Sequence, residues 1–309
     1  MDSAPAEVRE FLIYRSFGKA IVWDAASCGR VDVLEWLHEH TPEGITAEDY
    51  KSNNYFMLNR AAKYGHVSVL EWLHRRIPGG VTAEDCRAGN NYLLQQAAYH
   101  GHVSVLEWLH GHLPGGVTAE DCRSENNAAL QWAACCGHVS VLEWLHEHIP
   151  GGVTAEDCRV DNNFVLRHAA GGGHVAVLEW QREHIPGSVT AENCRSDNNY
   201  ALRWAAKNGH VTVLEWLHEH IPGGVTAEDC RADNNYMLQW AAEYDHVAVL
   251  EWLTTKLSLA EFAKHKCENV WWRVQWQMRR KSMLALVAAG KRKKLRLPPE
   301  LWELVELWC

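Results

Sequence analysis

The stretch 209–219, GHVTVLEWLHE, decides how the chain is read, because it returns at a fixed step of 36 residues. GRVDVLEWLHE begins at Gly29, GHVSVLEWLH at Gly65 and again at Gly101, GHVSVLEWLHE at Gly137, GHVAVLEWQRE at Gly173 and DHVAVLEWL at Asp245. No insertion or deletion interrupts the series. Self-similarity at such a period marks a repeat array, in which each unit buries its apolar face by stacking on its neighbours.

Upstream of Gly209, NNYALRWAAKN from Asn198 places Tyr200, Leu202, Ala205 and Ala206 on one helical face, and Gly209 is a natural stop for that helix. Downstream, Val211, Leu214, Trp216 and Leu217 fall at helical spacing and predict a second, antiparallel helix, which Pro222-Gly223-Gly224 cannot continue. VTAEDCR follows, with Thr226 three residues before Asp229. That is a near capping box opening a short helix, with two acids where the helix dipole favours them. Each unit is therefore expected to run helix, tight turn, helix, PGG loop, helical turn.

These residues resemble the ankyrin repeat. The family's T-P-L-H-x-A-A run is matched at its Leu and Ala-Ala positions by Leu202 and Ala205-Ala206 within Tyr200–Ala206. Its G-H before an apolar second helix is matched by Gly209-His210 and by Val213-Leu214-Glu215-Trp216-Leu217. The resemblance covers residues 22–253. It departs from the family in lacking Thr-Pro throughout, in its 36-residue period against the family's ~33, and in carrying PGGVTAEDCRADNN where ankyrins have a β-hairpin finger. The resemblance implies an all-α solenoid of about eight stacked helix pairs, with short helical or irregular loops between repeats. Residues 1–28 are expected to form an N-terminal cap and degenerate half-repeat, 29–253 the array, and 254–290 a degenerate capping repeat closed by Trp271, Trp272 and Trp276. Residues 291–309 hold a basic segment and an amphipathic C-terminal helix.

Charge divides along the chain: residues 254–309 hold 12 Lys and Arg against 5 Asp and Glu, a net +7, which leaves −16 for residues 1–253. Of the ten cysteines, Cys86, Cys122, Cys158, Cys194 and Cys230 sit at one repeat position, as small apolar packing residues would. They are expected to be reduced thiols, and the expected location is the cytoplasm, with the nucleus as the alternative. The N-terminus has neither the form of a secretory signal nor that of a transit peptide. No apolar run approaches the ~20 residues of a membrane span.

No catalytic, cofactor or metal site is expected. His38/His40, His74, His110/His112, His146/His148 and His218/His220 recur with the units, and an H-x-H pair on a helix points its rings apart. His66, His102, His138, His174, His210 and His246 follow the turn glycine and are expected to bond the turn backbone. Any candidate constellation appears several times, as scaffolding does and a single active site does not. Cys135-Cys136 breaks the pattern without a thiolate-activating context.

Fixed positions are expected to be structural. Trp36, Trp72, Trp108, Trp144, Trp180, Trp216 and Trp252 read as a core ridge. Glu35, Glu71, Glu107, Glu143, Glu179, Glu215 and Glu251 form an acidic ladder, with Arg87, Arg123, Arg159, Arg195 and Arg231 as expected ion-pair partners. Variation gathers on the first helix, where the resemblance places the concave binding surface. The position before Ala-Ala runs Arg60, Gln96, Trp132, His168, Trp204, Trp240. The pair before the turn includes Tyr64, Tyr99-His100 and Tyr244. Packing does not dictate these side chains, and Trp, Tyr and Arg are enriched at binding hot spots. A protein partner is therefore expected on this face; the competing reading is that the tryptophans only shield grooves between repeats.

The tail adds two alternatives. Arg279, Arg280, Lys291, Arg292, Lys293 and Lys294 fit a bipartite import pattern, a nucleic-acid contact as part of a ribonucleoprotein, or a solvated basic face. LRLPPELWELVELW resembles the opening helix of an F-box, which implies recruitment of a ubiquitin ligase, although the same helix could simply cover the last repeat. The expectation that leads is a non-catalytic protein-binding scaffold, monomeric by itself.

Overall fold

The computed structural model describes residues 19–257 apart from 42, 113–115 and 149–150. The tail residues Arg279, Arg280 and Lys291 to Lys294, the capping repeat and the C-terminal helix lie outside the described residues. The chain divides into two compact units, Met1–Ala201 and Leu202–Cys309.

All regular structure among the described residues is helical. Unit one holds α1 (Lys19–Ser27), α2 (Val31–His40), α3 (Ala47–Lys63), α4 (Val67–Arg76), α5 (Ala83–Tyr99), α6 (Val103–His112), α7 (Ala119–Cys135), α8 (Val139–His148), α9 (Ala155–Gly172) and α10 (Val175–His184). α11 (Ala191–Lys207) spans the boundary, and α12 (Val211–His220), α13 (Ala227–Glu243) and α14 (Val247–Leu253) belong to unit two. The odd-numbered helices pack on one another as one layer, α1 on α3, α3 on α5, α5 on α7 and α7 on α9. A second layer forms from α2, α4, α6, α8 and α10, so unit one is an all-α solenoid of helix pairs.

Packing follows the repeated residues. Ala61-Ala62, Ala97-Ala98, Ala133-Ala134 and Ala169-Ala170 are wholly buried in the first layer, and their small size permits close approach of neighbouring helices. Val69-Leu70, Val105-Leu106 and Val141-Leu142 are wholly buried from the second layer. Burying each such Val or Leu side chain is worth about 1.5–3 kcal/mol. The five repeat-position cysteines are buried and form no disulfide among the described residues, and burial pushes the Cys86, Cys122 and Cys158 thiols up to about 12, which keeps them protonated packing groups.

Each long helix of the first layer is in fact two. In α5 the residues 83–87 are helical, Ala88 is extended at φ −56°, ψ 145°, and Gly89, Asn90 and Asn91 take left-handed φ of 62°, 60° and 64° before the helix resumes. The same break recurs at Glu125-Asn126-Asn127, Asp161-Asn162-Asn163, Asp197-Asn198-Asn199 and Asp233-Asn234-Asn235. The expectation that NN opens the first helix is thereby corrected: the Asn pair forms a left-handed turn ahead of it. Asn is among the few residues that visit this region at modest cost. A side chain from the resumed helix caps the turn, as Gln95 Nε2 donates to Asn90 O at 2.8 Å and Gln131 Nε2 to Asn126 O at 2.6 Å.

The short helices open with complete capping boxes, Asp85, Asp121, Asp157 and Asp229 answering Thr82, Thr118, Thr154 and Thr226. Those aspartates are also where the arginine ladder ends. Arg87 Nε reaches Asp121 Oδ1 at 2.7 Å and Arg123 Nε reaches Asp157 Oδ1 at 2.7 Å, with Lys51 on Asp85 at 2.8 Å. This corrects the expected pairing with the glutamate ladder, whose residues stand on the second helix. There Glu35 meets Arg76 and the indole N–H of Trp72 instead. Where the chain carries Asn193 in place of the aspartate, Arg159 Nη2 turns to Gly187 O at 2.9 Å.

Burial alone would push the Asp157 carboxyl up, but hydrogen bonds from Arg123 and Thr154 outweigh it and hold the group at about 2. Asp85 and Asp121 are lowered in the same way, burial opposing and Lys51 or Arg87 prevailing. Their folded values lie below the unfolded ones, so the stability they contribute is complete above the unfolded value of about 4 and drains as pH falls through the folded ones, about 2 for Asp157. Urea midpoints should fall across that window, and less steeply in Asp157→Asn, which itself costs about 1–2 kcal/mol at neutral pH.

Candidate partner-binding face

The turns lock neighbouring pairs together and so place the variable side chains. His66 Nε2 lies 3.0 Å from Ser27 O, His102 Nε2 2.9 Å from Lys63 O, His138 Nε2 3.0 Å from Tyr99 O and His174 Nε2 2.9 Å from Cys135 O. In unit two, His246 Nε2 lies 2.7 Å from Lys207 O. Each of these histidines therefore ties a turn to the preceding pair, in line with the expectation from their position.

The histidines of the second helix are also structural. His110 and His146 accept the backbone N–H of Val117 and Val153 through Nδ1, both at 3.1 Å. His112 and His148 bond the carbonyls of Trp108 and Trp144 at 2.8 and 2.9 Å. In the fifth repeat the chain replaces the first of these histidines by Arg182 and the loop glycine by Ser188, and the two changes belong together. A Cβ on Gly116 or Gly152 would lie 2.5 or 2.9 Å from the His110 or His146 ring. Without the ring, Ser188 fits, its hydroxyl donating to Ile185 O at 2.8 Å. No group of three or more potential metal ligands exists among the described residues.

The tryptophan ridge is core from Trp72 onward: Trp72, Trp108, Trp144, Trp180, Trp216 and Trp252 are 3–9% exposed. Trp36 is 58% exposed and corrects the expectation for the first copy. Trp72, Trp108, Trp144, Trp180 and Trp252 each lean on a histidine of the pair before, as Trp144 does edge-on against His110 at 5.8 Å. Trp36 stacks only on His40 of its own helix among the described residues.

The variable residues form three aromatic groups. In the first, Arg60 lies over Phe56 at 4.7 Å and Tyr64 at 5.9 Å and donates to the Tyr64 hydroxyl at 3.1 Å. Phe56 in turn meets Trp23 at 5.0 Å. In the second, Tyr99 meets Trp132 edge-on at 5.5 Å, Trp132 meets Phe164 at 6.4 Å, and Phe164 stacks on His168 at 3.7 Å. His100 lies against Tyr99 at 4.7 Å, and Gln96 is half-buried on the same helix without joining either group. Burial, with Arg167 adding, lowers the His168 pKa, and burial with Lys63 lowers that of His100. Both rings therefore favour the neutral form and extend an uncharged aromatic strip. In the third, within unit two, Trp204, Trp240 and Tyr244 gather around Lys207.

Tyr64, Tyr99, Trp132 and Tyr244 remain 43%, 39%, 39% and 50% exposed, enough to touch another molecule. Sequence reasoning missed Phe56, Phe164 and Tyr236, one helical turn before the variable position, and set Tyr200 on the buried face. Tyr200 is half-buried, with the Arg167 guanidinium 4.4 Å from its ring, and Ala201 takes the inner position. The signal was an aromatic four residues ahead of a variable residue, the spacing at which helical side chains meet.

No curated protein matches the chain. A family model described as ankyrin repeats, three copies, matches residues 58–157. Among solved structures, an ankyrin repeat family protein from Legionella pneumophila is 20% identical, over 78% of this chain and 73% of that one, with a TM-score of 0.35. Residues 58–157 are thus similar to ankyrin repeats, in a chain whose other described repeats carry the same helix pair at the same 36-residue step.

Proposed function

We propose that the chain is a non-catalytic scaffold that holds a protein partner on the variable side of its first helices. Ankyrin repeats are generally protein–protein interaction modules. The observation that carries the reading is the strip Tyr99, Trp132, Phe164 and His168. It joins rings from three successive first helices, is held by residues that every unit shares, and is left partly open to solvent. A preassembled aromatic strip loses little conformational entropy on binding and offers the residue types that dominate hot spots. The −16 charge of residues 1–253 favours fast encounter with basic segments. The eight cysteines among the described residues form no disulfide with one another, which suits a reducing compartment, the cytoplasm or the nucleus.

The test is recovery of a partner on the intact chain beside a Tyr99→Ala, Trp132→Ala double variant whose circular dichroism is unchanged. Removing two such anchors should weaken binding of the recovered protein by 30-fold or more, the scale of a hot spot worth about 2 kcal/mol. Equal affinity for the two folded forms overturns the reading.

A further inference from the structure

Lys207 is the residue of unit two whose position is hardest to explain by folding alone. Its ammonium nitrogen lies 4.4 Å from the ring centre of Trp204, 5.2 Å from that of Trp240 and 6.0 Å from that of Tyr244. It makes no ion pair among the described residues, while the neighbouring Arg203 is paired with Asp233. Three rings within about 6 Å of one cation form a cage whose negative faces attract positive charge. The walls come from α11, α13 and Tyr244, the residue that ends α13, with Tyr236 stacked behind Trp240 at 5.0 Å. Among the described residues the cage is particular to this place: around Lys63, at the equivalent position, the corresponding residues are Arg60, Gln96 and His100, and the described ring that approaches is the adjacent Tyr64, at 5.5 Å.

A primary ammonium is a poor long-term occupant of such walls. It is strongly hydrated and has three N–H donors, and aromatic faces satisfy them weakly. A methylated ammonium keeps the positive charge, has fewer or no donors to satisfy, and presents methyl groups to the rings. We propose that Trp204, Trp240 and Tyr244 bind the methylated ammonium of a lysine side chain on a protein partner, and that Lys207 fills the cage until that side chain displaces it. The inference rests on the scaffold reading, because the cage belongs to the same first-helix residues, and it names the chemistry that this part of the face recognises. Quaternary ammonium metabolites and choline headgroups share that chemistry; the cage's place among residues of a protein-binding face favours the lysine.

The experiment is calorimetric titration of the full chain with three short peptides, identical but for one side chain: trimethyllysine, unmodified lysine, and the uncharged carbon isostere of trimethyllysine. The trimethyllysine peptide should bind at least fivefold more tightly than either of the others. Lys207→Ala should tighten that binding about three- to tenfold, because an internal competitor is removed. Tyr244→Ala, a change at a half-exposed side chain, should weaken it severalfold, and Trp240→Ala should abolish it with helicity retained. Equal binding of charged and uncharged peptides to Lys207→Ala, or no binding by that folded variant, overturns the proposal. Choline binding as tightly as the trimethyllysine peptide overturns the assignment to a protein side chain. Failure of the peptides while Tyr99→Ala, Trp132→Ala still loses its partner removes the cage and leaves the scaffold reading standing. Failure of that double variant alone does the reverse.

Discussion

Trp144→Ala should lower the unfolding free energy by about 3–5 kcal/mol, whereas Trp36→Ala, the same position of the repeat, should cost less than about 1 kcal/mol. Trp144 is 5% exposed, stacked on His148 at 4.4 Å and set edge-on against His110 of the preceding pair. Truncation would leave a void that two stacked pairs must share, and well-packed interiors relax only partly around such a void. Trp36 is 58% exposed, and little apolar surface returns to water when it is removed. Urea unfolding followed by circular dichroism separates the two variants. Because repeat arrays unfold through nearest-neighbour couplings, the Trp144→Ala transition should also broaden.

The second large effect concerns glycines that look alike in the sequence. Gly137 has φ +77°, and a Cβ there would lie 2.6 Å from His174 Nδ1. Gly137→Ala therefore combines about 1–2 kcal/mol of left-handed backbone cost with displacement of the His174 ring. The bond from that ring to Cys135 O would be lost with it, worth about a further 1 kcal/mol. The expected sum is about 2–3 kcal/mol. Gly151 also has a positive φ, +86°, but a Cβ there would meet nothing within 4 Å. Gly151→Ala should show the backbone cost only. Gly111 lies inside α6 with open space around it, and Gly111→Ala should be neutral or stabilising by up to about 1 kcal/mol. Thermal or urea midpoints measured in parallel should rank the three in that order. Equal losses at Gly137 and Gly151 would show that the histidine clip contributes nothing.

Much of the fold was legible in the sequence because its causes are local. A capping box needs only Thr154 and Asp157, three residues apart. Two helices per unit follow from apolar spacing, and a turn follows from a glycine between them. The left-handed turn is equally local, yet it was missed, because Asn162-Asn163 before an apolar run also resembles a helix start. The unvarying Asn was the available clue, since few side chains tolerate three successive positive φ angles.

Contacts between units were beyond such reasoning. Arg87 and Asp121 are 34 residues apart, and His174 and Cys135 are 39 apart. Which partner an arginine meets depends on the stagger between stacked pairs, and the glutamate ladder was as plausible from sequence as the capping aspartates. The candidate face divides in the same way. Trp132, His168 and Trp204 were recognisable by their freedom to vary, but the grouping of Trp132 and His168 with Phe164, and the enclosure of Lys207 by three rings, arise only when helices 36 residues apart lie side by side.

By itself, then, the sequence determined the repeat, its two helices, its caps and the positions that packing does not fix, because propensity, periodicity and capping act over a single turn of chain. Only the tertiary structure decided which charges pair, that Trp36 is not core, and which variable side chains share a surface. Those outcomes depend on the offset between stacked units, a distance in space for which spacing along one chain has no equivalent.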